Sequence, residues 1–228
     1  MKNIKKHFHS KAALNGIDLS VKEGESITLF GPNGAGKTTL IKILSGIMSP
    51  GEGEIIFNGS SSSEFDIKKY IFFLGHKNSL YNSLTVSENL NFANRIFSRS
   101  NGAGRIETVL REHGLWERRN DPVKELSQGM KRRAAIARGF ITDPKILIMD
   151  EPFTGLDLKW RRSVLSKIKE LKTAGKSIVL ATHLVEEGYE LADRIAFLNK
   201  GKLMFIRDKQ DVQLKDIQEL FHSLGEAA

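Results

Sequence analysis

Short apolar runs and amphipathic stretches alternate along most of the chain. Ser26-Ile27-Thr28-Leu29-Phe30 reads as a strand feeding a glycine-rich loop, and a helix follows from about Lys37 to Leu44. Glu54-Ile55-Ile56-Phe57 reads as a further strand that runs into Asn58-Gly59, a pair that tolerates positive φ and so predicts a tight turn. The serines at 60–63 form a polar connection, and Tyr70-Ile71-Phe72-Phe73-Leu74 is a second apolar strand. From about 85 to 139 strand signals stop. Leu90, Phe92 and Ile96 predict one helix whose face they share, and Ile106, Val109 and Leu110 a second, with a polar, glycine-containing break at 98–104. Strand patterns return at 146–149, 177–180, 194–198 and 203–206. Between the first two lies a helix with Trp160, Val164, Leu165, Ile168 and Leu171 on one stripe. Ile217, Leu220, Phe221 and Leu224, spaced i, i+3, i+4 and i+7, predict a closing helix.

The pattern is that of an α/β body interrupted by a mostly helical insertion, with no internal repeat. At 228 residues the chain suits one large domain or two small ones. Its apolar runs fall far short of the ~20 residues of a membrane-spanning helix. The basic N-terminus has no apolar stretch behind it, which argues against a secretory signal. Zero cysteines exclude a disulfide scaffold, a thiol nucleophile and cysteine-ligated zinc or iron–sulfur centres. A cytoplasmic protein is the expectation. Thirty-five Lys and Arg against 27 Asp and Glu give +8, which fits either an anionic partner or a generally basic solvated surface.

Gly31-Pro32-Asn33-Gly34-Ala35-Gly36-Lys37-Thr38-Thr39 fits G-x-x-x-x-G-K-[ST] between a strand and a helix. Glycines let backbone N–H groups close on phosphate oxygens, and the helix N-terminus adds positive potential. Lys37 would reach the β- and γ-phosphates, and the Thr38 hydroxyl would ligate Mg²⁺. Ile146-Leu147-Ile148-Met149-Asp150-Glu151 is a buried strand with two acids at its carboxyl end, where ligands sit in such sheets. Asp150 suits a Mg²⁺ shell and Glu151 the polarisation of an attacking water. A GTPase would carry Asn-Lys-x-Asp, but Asn199-Lys200-Gly201-Lys202 lacks the aspartate.

Leu126-Ser127-Gln128-Gly129-Met130-Lys131-Arg132-Arg133 opens a helix that runs to about Phe140, and a small-molecule kinase would have no reason for it. Ser127 caps that helix, and Gly129 permits close approach to a second anion. Lys131-Arg132-Arg133 reads as a solvated helix face, or else as a run that attracts phosphates or acidic headgroups. With Gly129 lying 17 residues before Ile146, the segment resembles the signature of ATP-binding cassette (ABC) proteins. Thr154-Gly155-Leu156-Asp157 resembles the D-loop, and Ala181-Thr182-His183 the switch-histidine motif. Leu84-Thr85-Val86-Ser87-Glu88-Asn89-Leu90 resembles the lead into the helical subdomain, and Phe8, ahead of Ala12-Ala13-Leu14, falls at the adenine-stacking aromatic.

The resemblance implies a P-loop NTPase fold of ABC type: a mostly parallel sheet core with an antiparallel β portion and an inserted α-helical subdomain. Residues 1–76 and 140–228 would form the nucleotide-binding core of a single domain, and 77–139 the helical signature subdomain. It implies an ATPase that uses ATP and Mg²⁺ and drives a separate transmembrane permease, docked around His76 to Leu84, from the cytoplasmic face of a membrane. A homodimer, or a dimer with a related cassette, is implied too. Ser127 and Gly129 of one subunit would then act on the other's nucleotide, while Lys37, Thr38, Thr39, Asp150, Glu151 and His183 act on their own. Glu151 would be the general base and His183 a γ-phosphate contact.

Two places depart from the family pattern. His76 stands where most cassettes carry a glutamine that touches Mg²⁺ and the permease. It either replaces that glutamine as a polar contact or leaves the role to its backbone carbonyl. Leu74-Gly75-His76 is similar to the ATP-binding subunits of haem exporters in cytochrome c maturation. Met1 leaves little room for the strand with which the family opens. The rival class is a soluble ABC ATPase acting on nucleic acid or ribosomes, which the charge suits. Against it stand a single phosphate loop and only 90 residues between Lys37 and Ser127, with no sustained heptads. Nucleic acid is therefore an unlikely partner, and Glu151 with His183 argues against a non-catalytic cassette.

Overall fold

The computed structural model describes residues 1–61, 70–97 and 103–225. Residues 62–63 of the serine connection and 98–102 of the interhelical break lie outside the described residues. The chain begins with β1 (Lys2–Phe8), β2 (Lys11–Ile17), β3 (Ser26–Phe30), α1 (Lys37–Leu44) and β4 (Glu52–Glu54). The short strands β5 (Ile56–Phe57) and β6 (Ser60–Ser61) follow, then β7 (Ile71–Leu74), α2 (Val86–Phe97), α3 (Ala103–Glu112) and α4 (Gln128–Ile141). The remainder is β8 (Ile146–Asp150), α5 (Leu158–Thr173), β9 (Ser177–Ala181), α6 (Val185–Leu191), β10 (Arg194–Asn199), β11 (Lys202–Asp208) and α7 (Leu214–Gly225).

The six-stranded sheet has the order β11-β10-β3-β9-β8-β7, parallel except for the β10–β11 hairpin. β3 and β9 are buried along their whole length, as parallel strands covered on both faces must be. Because β7, β8, β9 and β3 run in one direction, the segments after Leu74, Asp150, Ala181 and Phe30 leave the same edge of the sheet. That edge is where ligands bind in such sheets. α1 packs on one face against β8 and β9, with the antiparallel sheet β2-β1-β4 beyond it. The opposite face carries Leu147, Met149, Ile178 and Leu180 against Ile136, Phe140, Val164 and Ile168 of α4 and α5. Fully burying each such side chain contributes about 1.5–3 kcal/mol.

Three expectations need correction. The antiparallel sheet does begin at Lys2: β1 pairs with both β2 and β4, and the N-terminal ammonium donates to the Leu19 carbonyl at 2.9 Å. Only the Ile4 side chain of β1 is fully buried, so residues 2–8 carry no apolar alternation to announce a strand. The strand expected at 54–57 is two strands broken at Ile55: β4 pairs with β1, and β5 turns back on β6 through Asn58 and Gly59, both at positive φ. Finally, Leu90, Phe92 and Ile96 do not share a face. Phe92 and Ile96 stand about 200° and 240° round the helix from Leu90. Leu90 is buried, whereas Phe92 is 44% and Ile96 55% exposed.

α2 opens on a reciprocal cap: Glu88 N–H donates to Thr85 Oγ1 at 3.1 Å, and Thr85 N–H to Glu88 Oε2 at 2.7 Å. Val86, Leu90, Ile106, Val109 and Leu110 then join Ala134, Ala137 and Ile141 in a separate helical cluster. α4 therefore serves two cores, one with the sheet and one with α2 and α3. The boundary expected at 139/140 falls inside its last turn.

Candidate nucleotide-binding site

The glycine loop leaves the carboxyl end of β3 and enters α1 at Lys37. Gly31 lies at φ +146°, and a Cβ there would stand 2.0 Å from the Leu198 carbonyl oxygen. Gly36 lies at φ +108°, where a Cβ would stand 2.6 Å from the Ala13 carbonyl oxygen. Only glycine fits these turns. Lys37 is 8% exposed and donates to the carbonyls of Gly31 at 2.5 Å and Pro32 at 3.1 Å. Burial pulls its ammonium below the ordinary lysine value, against the opposing charges of Glu151 and Asp150. Asn33, Gly34 and Thr38 are exposed along the loop, Ala35 is buried and Thr39 partly so.

Asp150 ends β8, 2% exposed. Burial lifts its carboxyl above the ordinary aspartate value; a hydrogen bond from Thr38 opposes this, and the Glu151 charge adds to it. Its Oδ2 is buried with no hydrogen-bond partner among the described residues. A buried carboxylate oxygen left unpaired beside a hydroxyl is a donor set that a hard, oxygen-seeking cation such as Mg²⁺ fits. His76, exposed just beyond β7, is close enough for its charge to act on Asp150.

Glu151 follows at φ +51°, in the left-handed region that a side chain rarely adopts. Its N–H donates to the Ala181 carbonyl at 2.8 Å. The carboxylate accepts from Thr182 Oγ1 at 3.2 Å and lies 2.8 Å from His183 Nδ1. Thr182 is fully buried, whereas His183 keeps over half its side chain exposed. The edge of the sheet thus brings together Lys37, Thr38, Asp150, Glu151 and His183, with His76 beside them.

Three residues lie away from this group. Ser127 caps α4, accepting from Met130 N–H at 3.2 Å, and is itself exposed; Gly129 is half-buried in the first turn. Phe8 ends β1, 44% exposed, on the sheet whose β2 borders the glycine loop. The solvated face expected of Lys131-Arg132-Arg133 holds for Lys131 in part, but not for Arg132, which is 4% exposed. Arg132 Nη1 donates to Gly75 O at 2.7 Å and Asn78 Oδ1 at 3.2 Å. Nη2 donates to Asp150 O at 3.0 Å and Glu151 O at 2.5 Å, and Nε to Pro152 O at 3.2 Å. Burial brings this guanidinium down to about 10, still charged at neutral pH, against the pull of Asp150 and Glu151. One signal for it was present: a cation one turn into a helix that must also cover the sheet.

The ABC transporter family matches residues 14–154. The linearmycin resistance ATP-binding protein LnrL of Bacillus subtilis is 36% identical over 214 residues, 92% of this chain and 69% of that protein. The lantibiotic transport ATP-binding protein SrtF of Streptococcus pyogenes is 34% identical over 223 residues, 98% of this chain and 95% of that protein. Among solved structures, the dimeric ATP-binding cassette MJ0796 in a post-hydrolysis state, bound to ADP and Pi, superposes with a TM-score of 0.83. It is 27% identical, covering 91% of this chain and 97% of that one. A match running from β2 through the Asp150–Glu151 pair, with relatives that align over nearly the whole chain, makes this chain a member of the ABC transporter family. It is an ATP-binding subunit that uses ATP with Mg²⁺ and hydrolyses it.

Proposed function

We propose that this subunit hydrolyses ATP by in-line attack of water on the γ-phosphate, with Glu151 as the general base. The observation that carries the reading is the Glu151 carboxylate, held between Thr182 and His183 at the same sheet edge as Lys37 and Asp150. A carboxylate fixed by two partners is oriented before water arrives, which is how positioning lowers such a barrier. Lys37 and the loop N–H groups of residues 31–39 bind the β- and γ-phosphates, and His183 contacts the γ-phosphate. Thr38 and Asp150 hold Mg²⁺, with His76 as a polar contact. When bound, Mg²⁺ neutralises charge on the phosphate oxygens. Phe8 stacks on the adenine. The exposed Ser127 and the half-buried Gly129 cover the nucleotide of a second cassette in a dimer.

The permease docks in a groove of about 800 Å³ between β7 and the helices. Its walls include the exposed side chains of Tyr81, Phe92, Ile96 and Phe97, with Arg105 and Arg138 at its border. On this reading the docking surface lies at residues 79–81 and along α2, within and beside the expected His76 to Leu84, and the subunit sits on the cytoplasmic face of a membrane. No helix among the described residues is long and apolar enough to cross a membrane, and the permease is a separate chain on this reading. Affinity capture from membranes in mild detergent tests it. A stoichiometric polytopic membrane protein, lost on Phe92→Asp with ATP binding intact, is expected. Capture of nucleic acid in its place, at an affinity that falls steeply with salt, would move the chain to the soluble class.

A further inference from the structure

Arg132 joins three segments far apart in the chain. Its guanidinium bonds the backbone after β7 at Gly75, the backbone from the end of β8 at residues 150–152, and the Asn78 side chain. Charged N–H groups bond carbonyls more strongly than neutral ones, and in a buried site the geometry is held. The residue between those carbonyl contacts is Glu151, whose positive φ persists only where its surroundings enforce it. Six residues further along the same helix, Arg138 Nη1 donates to the Ser79 carbonyl at the wall of the groove. α4 therefore grips both ends of the segment 75–79, one end at the hydrolytic carboxylate and the other at the groove.

We propose that Arg132 is a positioning residue for ATP hydrolysis. It fixes the Glu151 backbone in the orientation that aims the carboxylate, and it makes that orientation depend on the 75–79 segment bordering the groove. The proposal rests on the reading of Glu151 as base. Its mechanism is geometric: the buried guanidinium directs its five hydrogen bonds to protein oxygens, so it affects the rate through Glu151 and leaves phosphate binding to the loop after β3. Lysine keeps the charge but not the fork, and one ammonium cannot reach both strand ends at once.

The test uses the full chain and four forms: wild type, Arg132→Lys, Glu151→Gln and the double variant. Steady-state turnover, KM for Mg-ATP and thermal melting are measured for each. We expect Arg132→Lys to melt cooperatively, with kcat down about 10–100-fold and KM within about threefold of wild type. In the Glu151→Gln background the same change should alter the residual turnover by less than about threefold, because both substitutions disable one group. Wild-type kcat in Arg132→Lys, a loss carried by KM, or losses that multiply in the double variant would each overturn the proposal. If Arg132→Lys does not fold, Asn78→Ala, which removes one partner of Nη1, replaces it. A kcat lowered about threefold at unchanged KM supports the proposal, and an unchanged kcat overturns it. Wild-type turnover in Glu151→Gln removes the base assignment and this proposal together. An inactive Glu151→Gln beside a fully active Arg132→Lys removes this proposal alone.

Discussion

His183 Nδ1 lies 2.8 Å from Glu151 Oε2, the same oxygen that accepts from the buried Thr182 hydroxyl. A neutral ring that donates from Nδ1 to the carboxylate leaves Nε2 facing outward as an acceptor, and only the protonated ring offers an N–H there. On the proposed mechanism the pair divides its labour by atom: Nδ1 orients the base, and Nε2 is left for the nucleotide. Glu151→Gln keeps the shape but removes the basic oxygen. ATP binding, read with a fluorescent analogue, should be unchanged, while turnover falls roughly 10²–10⁴-fold. Near-normal turnover would take Glu151 out of the role.

Asp150 should show a conflict between folding and function. Its carboxyl is held above the ordinary aspartate value mainly by burial. An acid with a raised folded pKa costs stability at neutral pH, where the folded chain must keep it ionised. That cost is relieved as pH falls through the raised value. Asp150→Asn should therefore melt higher, on the order of 2–4 °C for each kcal/mol relieved, and lose Mg²⁺-dependent turnover. A lower melting temperature would show that the charge supports the fold.

His113 predicts an acid limit on stability. Its ring is buried, with Nδ1 2.8 Å from the Val109 carbonyl and an edge contact to Phe140. Burial lowers its pKa, and Glu112, Lys167 and Arg133 add smaller effects of both signs. A histidine held below its ordinary value contributes full stability above about pH 6.5, and loses it as pH falls from there toward the folded value. Melting followed from pH 7.5 to 5 should show a steeper acid decline in the wild type than in His113→Asn. Parallel declines would place the acid limit elsewhere.

Action of Ser127 and Gly129 across a dimer can be read by complementation. Lys37→Ala and Gly129→Asp chains should each be inactive alone. Mixed, they form one site with an intact Lys37 from one chain and an intact signature from the other, and turnover should return. A mixture as inactive as its components would place the signature and the phosphate loop on one nucleotide.

What could be read in the sequence was what the chain holds locally. The phosphate loop occupies nine consecutive positions, and α1 begins at Lys37 as its spacing predicts. The acids at the end of β8 and the histidine after β9 were legible because a buried parallel strand is a continuous apolar run. Arg132 was legible only as a cation one turn into a covering helix, not as a link between strand ends. Its partners lie 18–20 and 54–57 residues away, and three adjacent cations on a helix look alike until the packing chooses one. The first strand was missed for the opposite reason. Its pairing partners hold it through the backbone, and a single buried isoleucine gives no period to read.

The left-handed backbone at Glu151 has a consequence for drift. Glycine would adopt that conformation without strain, so a single codon change of Glu to Gly would relax the turn while deleting the carboxylate. Of the substitutions at this position, Glu151→Gly is therefore the one that leaves a well-folded but silent cassette.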